Sequence, residues 1–334
     1  MKQLFFLEPG KFEWREVPDP AASPKGALVK PTAVAVCDLD TAIMQGTLPI
    51  TGPFAFGHEF VGEVVELGDE VEGFAVGDRV LVSFQISCGS CDRCAGGLTG
   101  SCREVREGAM YGVGALGGDW GGAFADLIDV PYGFMMLRLP TAVDSAAIAS
   151  GNDNLPDAYR TVAPALAEMP ASDVLILGGG GRSIALYAVM IAAALGASKV
   201  DYVDDSESRL EIAKQLGANP IEGPPPPKMG RYPITVDASG RPDWLATALR
   251  STDSGGVCTS IGIYFQDPAI PFINMYTRGI TFRTGRPHSR ASMPKIIEMV
   301  ADGKIDPSLI QTTAGWEELP DALENPPLKL VVTR

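Results

Sequence analysis

The sequence is poor in the features that would tie it to a polyanion or a bilayer. It has no run of basic residues and carries a net charge of −14. That balance excludes nucleic acid and anionic membrane surfaces as partners held by charge. Its longest apolar run, 184–197, has 14 residues, short of the roughly 20 that span a bilayer. Leu4-Phe5-Phe6-Leu7 stops at Glu8, too soon for the apolar core of a signal peptide, so the expected compartment is the cytoplasm. Histidine is scarce, with only two in the chain. The 334 residues include 38 Gly and 27 Pro and are 46% hydrophobic. That describes a loop-rich globular protein, expected to form two domains at about 100–200 residues each.

Cysteine is also sparse, but it is not scattered. Four of the six cysteines fall within 15 residues, in the spacing Cys88-x2-Cys91-x2-Cys94-x7-Cys102. In a reducing compartment such a cluster points to a metal more than to disulfides. Four thiolates suit a tetrahedral zinc with no open position, which makes the expected role structural. Gly89, Gly96, Gly97 and Gly100 let the backbone wrap closely. Reduced free thiols, two disulfides and an iron–sulfur cluster are the alternatives.

Three textures follow along the chain. Residues 1–150 hold short Val-rich runs, 61–71 and 77–82, that predict strands joined by tight turns. From 151 the pattern becomes strand–helix–strand. Val174-Leu175-Ile176-Leu177 leads into glycines and an Ala-rich helix, 200–204 is the next strand, and 208–216 is a helix closed by Gly217. This alternation predicts a parallel sheet covered by helices. Pro224 to Pro227 forms an extended connector. The last 50 residues predict a helix at 293–301 and a strand at 329–332.

The glycine turn Gly178-Gly179-Gly180-Gly181-Arg182-Ser183 follows a predicted strand and opens a helix. Such a turn lets a backbone approach a pyrophosphate, with Gly178, Gly180 and Ser183 at the fingerprint positions. Asp204 ends the next strand, 21 residues past Ser183, where a carboxylate can accept from the adenosine ribose. Asp205 adds a second negative charge, which favours NAD over NADP by repelling a 2′-phosphate.

Gly57-His58-Glu59-x2-Gly62-x5-Gly68-x2-Val71 has Cys37 21 residues before its histidine and the cysteine lobe 30 residues after it. In order and spacing this resembles the zinc-dependent medium-chain alcohol dehydrogenases over nearly the whole chain. The resemblance implies an α/β protein with a mostly-β GroES-like catalytic domain at 1–153 and 287–334, and a doubly wound Rossmann domain at 154–286. It implies a catalytic zinc on Cys37, His58 and Asp153, one position left open, with Glu59 able to approach it and Asp40 orienting the histidine. Such a zinc polarises an alcohol oxygen. With the lobe, two zincs per chain are expected. Ser239, Ile261 and Ile263 match the nicotinamide side, Arg209 joins the cofactor set, and Lys329 matches a basic residue that reaches the pyrophosphate.

Two positions depart from the family. Leu39 stands where a Ser or Thr usually relays the alcohol proton, and Asp38 has the wrong sign for a phosphate contact; Thr41, Asp38 or a water chain are the substitutes. Leu39, Leu48, Phe84 and Ile263 are expected to line an apolar pocket for a small or medium alcohol, aldehyde or ketone. The stretch 117–124, with Val130-Pro131-Tyr132, is similar to the formaldehyde dehydrogenase-like branch. His288 and Arg286 lie where the chain returns to the catalytic domain. A homodimer or homotetramer is expected, since 271–285 matches a strand-pairing segment of the family. The rival readings are a zinc-free or structural-zinc-only NAD(P)H reductase of the quinone oxidoreductase type, and a non-enzymatic NAD-binding protein.

Overall fold

The computed structural model describes residues 1–48 and 50–334. The chain divides into two compact units, Met1–Pro156 with His288–Arg334, and Asp157–Pro287. The expected boundaries, 153/154 and 286/287, fall three residues and one residue earlier.

The first unit is built on a seven-stranded sheet. Its order runs Thr312–Gly315, Leu330–Thr333, Ala27–Ala35, Glu59–Leu67, Arg79–Val82, Met136–Arg138, with Ile128–Val130 paired beside Ala27–Ala35. The pairings are antiparallel, apart from the first. Alternate side chains supply two cores. Val34, Phe60 and Val64 join Phe6, Phe56 and Phe124 on one face, and Ala35, Val61 and Leu81 pack with Met293 and Ile297 on the other. Gly62 marks a close approach of neighbouring strands, because a Cβ there would collide with Val29 and the Lys30 carbonyl. The helix Ser289–Ala301 starts four residues before the expected 293. Contacts made elsewhere in the chain hold that extra turn. Ser289 N–H donates to Gln85 Oε1 at 3.2 Å and Arg290 donates to the Phe134 carbonyl.

The second unit is a six-stranded parallel sheet. Its order is Asn219–Glu222, Lys199–Asp204, Asp173–Leu177, Tyr232–Asp237, Thr252–Ser260, Thr281–Thr284. Val174 to Leu177 are fully buried, as a central parallel strand covered on both faces requires. The first strand in sequence lies inside the sheet. The chain steps outward to one edge, then returns and builds the other half, so the order reverses between Asp173–Leu177 and Tyr232–Asp237. In doubly wound sheets ligands bind at that reversal, beyond the carboxyl ends of the strands.

Candidate active site

The first site begins at a helix cap. Cys37 caps the short helix Asp38–Met44, and its Sγ accepts the Leu39 N–H at 3.4 Å. Asp40 Oδ2 accepts the Cys37 N–H at 3.1 Å, while Asp40 Oδ1 lies 3.4 Å from His58 Nδ1. One carboxylate therefore fixes both residues and leaves His58 Nε2 pointing the other way. Nε2 lies 3.1 Å from Asp153 Oδ2, and Cys37 Sγ lies 3.2 Å from the same oxygen.

The donor atoms of Cys37, His58 and Asp153 are within 4.8 Å of one another, and all three side chains are buried. Burial pushes the Cys37 thiol well above its usual value, and the Asp153 charge adds to that. Burial alone would lower His58, but the Asp40 and Asp153 charges overcome it and carry the imidazole to about 9. Three buried, converging sulfur, nitrogen and oxygen donors form a set that zinc accepts. The residues fit the metal.

Around this trio lies a layer that the sequence showed only in part. Glu59 is fully buried. Its Oε1 accepts the Asn154 N–H at 2.9 Å, and its Oε2 accepts from Lys329 Nζ and from Ser150 Oγ. Glu59 is thus held by three donors, which bears on the expectation that it swings towards the metal. Lys329, expected beside a pyrophosphate, has its ammonium on Glu59 instead and no exposed surface. Asn152 Nδ2 donates to the carbonyls of His58 and Val82. Asn154 Oδ1 lies 3.1 Å from Cys37 Sγ. Asn154 sits beside Asp153 in sequence, yet nothing in its residue type marked it. Of the expected pocket residues, the Phe84 ring is 5.5 Å from the His58 ring, and Leu39 and Leu48 pack against the same core. Ile263 belongs to the other unit, where it is 58% exposed.

The cysteine lobe brings Cys88, Cys91, Cys94 and Cys102 together with their sulfurs within 4.8 Å. None is in a disulfide. Backbone N–H groups of Arg103 and Cys94 hold the Cys91 thiol down to about 6, whereas burial pushes Cys94 up to about 12. His288, left without a firm role by the sequence, docks here. Its Nδ1 accepts the Gly100 N–H at 3.2 Å.

In the second unit, the glycine turn meets the end of Tyr232–Asp237. Gly180 N–H donates to Ser239 O at 3.0 Å, and Gly181 N–H to Ala238 O at 2.8 Å. A Cβ at Gly181 would also press on Ile261. Ser183 is buried in the helix Arg182–Ala194.

The charge argument at Asp204 needs correction. Its Oδ1 accepts Ser206 N–H at 2.9 Å and Arg209 Nη2 at 2.5 Å. Its Oδ2 accepts Arg209 Nε at 2.9 Å and Tyr202 Oη at 2.5 Å. Asp205 pairs with Arg241 at 2.6 Å. Two arginines, one of them 36 positions from its partner, cancel the two negative charges. Repulsion of a 2′-phosphate by net charge therefore does not follow from this pair.

The alcohol dehydrogenase GroES-like domain family matches residues 23–141, and the zinc-binding dehydrogenase family matches residues 183–302. A probable zinc-binding alcohol dehydrogenase of Mycobacterium tuberculosis is 33% identical over 306 residues, covering 89% of this chain and 77% of its own. An L-threonine 3-dehydrogenase of Shewanella loihica is 31% identical, covering 85% and 83%. The solved alcohol dehydrogenase of Thermus sp. ATN1 superposes with a TM-score of 0.88 at 27% identity, covering 100% and 99%. The chain belongs to the zinc-dependent medium-chain alcohol dehydrogenase family. As a member it is a dehydrogenase that works with zinc and a nicotinamide cofactor. Its two units are the GroES-like and Rossmann-type domains of that family. Among the described residues, no helix is long and apolar enough to cross a membrane.

Proposed function

We propose that this dehydrogenase interconverts a small or medium apolar alcohol and its aldehyde or ketone at Cys37, His58 and Asp153, using NAD and two zincs per chain. The convergence of those three buried donor atoms carries the reading. A zinc held there supplies a Lewis acid for the substrate oxygen. A nicotinamide cofactor held at the glycine turn 178–183 would supply the hydride acceptor and donor. The chain's own residues do the rest. Asp40 orients His58 and Cys37, Glu59 and Lys329 form a neutral buried pair behind them, and Leu39 and Phe84 keep the approach apolar. Four thiolates of the lobe hold the second, structural zinc.

NAD rests on the position of the Asp204 carboxylate against the glycine turn alone. Arg209 and Arg241 beside the two aspartates argue for the other cofactor, NADP, and the paired screen below decides between them. The oligomer rests on the second unit's surface. Phe265, Phe272, Ile273 and Tyr276 are 67–76% exposed, and Thr281–Thr284 is an edge strand. Apolar area beside an unpaired edge favours a second copy of the chain. A cytoplasmic location is supported by the unbridged thiols.

The test is a substrate screen with NAD and NADP on protein of measured zinc content, with L-threonine in the panel because of the relative above. About two zincs per chain are expected, and Cys37→Ala should lose one of them together with activity. Full activity in that variant would return the zinc-free reductase reading, which Leu39 and Asp38 favour.

A further inference from the structure

Asp237 is fully buried at the carboxyl end of Tyr232–Asp237, a strand at which the sheet order reverses. Both of its oxygens are held by donors. Oδ1 accepts the Ser239 N–H at 3.2 Å and Ser239 Oγ at 2.5 Å. Oδ2 accepts Ser260 Oγ at 2.6 Å and Tyr264 Oη at 2.7 Å. The serines stand at the ends of this strand and of its neighbour, Thr252–Ser260. Tyr264 lies past the strand ends and reaches back.

Its sequence neighbours Ile263 and Phe265 are 58% and 71% exposed. Tyr264 itself is half-buried and packs against the core that holds Leu177 and Trp244. Its ring lies over Gly262, where a Cβ would come within 2.6 Å of it. Sheet pairing ends at Ser260. Two further bonds carry the chain on, from Ile261 N–H to the Asp237 carbonyl at 2.9 Å and from Gly262 N–H to Ser260 Oγ at 3.2 Å. Beyond them the phenol is what ties the segment to the strand ends.

A doubly wound sheet has two halves, and each takes one mononucleotide of a dinucleotide. The glycine turn and Asp204 belong to the first half, Asp173–Leu177 with Lys199–Asp204, on the adenosine side. Segment 261–264 stands at the carboxyl ends of the second half, the side left for the nicotinamide mononucleotide. A segment that must be ordered on binding costs affinity, and one already fixed does not.

We propose that Tyr264 is a positioning residue for the nicotinamide half of the cofactor. Its phenol, anchored on Asp237, holds 261–264 in the conformation that receives the ring. The inference rests on the nucleotide reading of the glycine turn. The same carboxylate holds Ser239, whose carbonyl accepts the Gly180 N–H at 3.0 Å. Asp237 thereby ties the turns of both halves to one frame.

Tyr264→Phe in the full-length, zinc-loaded protein tests it, because it removes the hydroxyl and keeps the ring over Gly262. Two ligands are titrated. One is the reduced cofactor, NADH or NADPH according to which the wild type binds, followed by its fluorescence. The other is ADP-ribose, or its 2′-phosphate where NADPH is the form bound, followed by calorimetry; it lacks only the nicotinamide ring. The variant should bind the reduced cofactor about tenfold more weakly, the scale of one lost hydrogen bond to a charged acceptor. Its affinity for ADP-ribose should not change. Tyr264→Leu, which removes the ring as well, should lose more of the first and still none of the second. Equal losses for both ligands would make Tyr264 a part of the fold only, and no loss for either would leave the phenol without a role; each result overturns the proposal. If the wild-type protein binds no ADP-ribose at all, the nucleotide reading itself falls, and this proposal with it.

Discussion

Asp40 Oδ1 faces His58 Nδ1 at 3.4 Å, and both side chains are fully buried. The same carboxylate accepts the Cys37 N–H through its other oxygen at 3.1 Å. Two residues 21 positions apart in sequence are thus aligned by a third that lies on a single helical turn.

Asp40→Ala should weaken the catalytic zinc about 10–100-fold, the usual cost of losing such a partner. The lobe zinc should remain, so dialysis against a chelator takes the protein from about two zincs to one. Asp40→Asn is the sharper variant. Its oxygen can keep the Cys37 N–H, but its NH2 would then face His58 Nδ1 and force the proton onto Nε2, the metal-facing nitrogen. Zinc retention equal to wild type in Asp40→Asn would refute this account of the tautomer.

Zinc uptake at this site should release protons. Burial, with Asp153 second, holds the Cys37 proton on, and the charges of Asp40 and Asp153 carry His58 to about 9 despite its burial. Zinc requires both donors bare. At pH 7 both are protonated in the metal-free site, so about two protons leave per zinc bound. Apparent affinity therefore rises with pH, and the slope falls towards one proton above pH 9, where His58 is already neutral. An indicator dye in weak buffer reads this directly, on protein whose lobe is already loaded. Uptake without acidification would contradict the assigned directions.

Local pattern carried most of the second unit. The strand 174–177, the glycine turn, the strand 200–204 and the following helix are all contiguous signals, and the structure has them within a residue or so. The two clusters, Cys37 with His58 and Asp153 and the four cysteines 88–102, were legible because their residue types are rare and their spacing matches a family. What stayed hidden depends on contacts between distant positions. Ser150 reaches Glu59 across 91 residues, Asn154 reaches Cys37 across 117, and Lys329 reaches Glu59 across 270. The Asp205 charge looked free because Arg241 lies in another strand-end turn. A single sequence gives no register for such pairs, and Lys329 reads equally well as a surface cation.

The glycine turn makes a steric prediction. A Cβ on Gly178 would collide with Asp204 Oδ2 and Tyr202 Oη. Both groups are buried and bonded to each other at 2.5 Å, so neither can retreat cheaply. Gly178→Ala should therefore displace the Asp204 cluster. NADH affinity, followed by the quenching or enhancement of its fluorescence, should fall by at least about tenfold, the equivalent of about 1.4 kcal/mol. Zinc content should not change. Wild-type affinity in this variant would mean that Asp204 does not help form the nucleotide site.

The Glu59–Lys329 pair is the clearest case where one substitution and two should differ. Burial raises the Glu59 carboxyl, and Lys329 is the first influence that lowers it again. Lys329→Met leaves a carboxylate with no exposed surface and without its cation, a change that costs about 3–5 kcal/mol. Replacing both partners removes both charges at once. Glu59→Gln keeps an oxygen for the Asn154 N–H, so Glu59→Gln with Lys329→Met should regain most of the lost stability. Denaturant unfolding of the zinc-loaded single and double variants measures the difference. A single variant within 1 kcal/mol of wild type would show that Glu59 simply takes up a proton when its lysine is gone, and the pair would then matter for the charge behind the metal rather than for the fold.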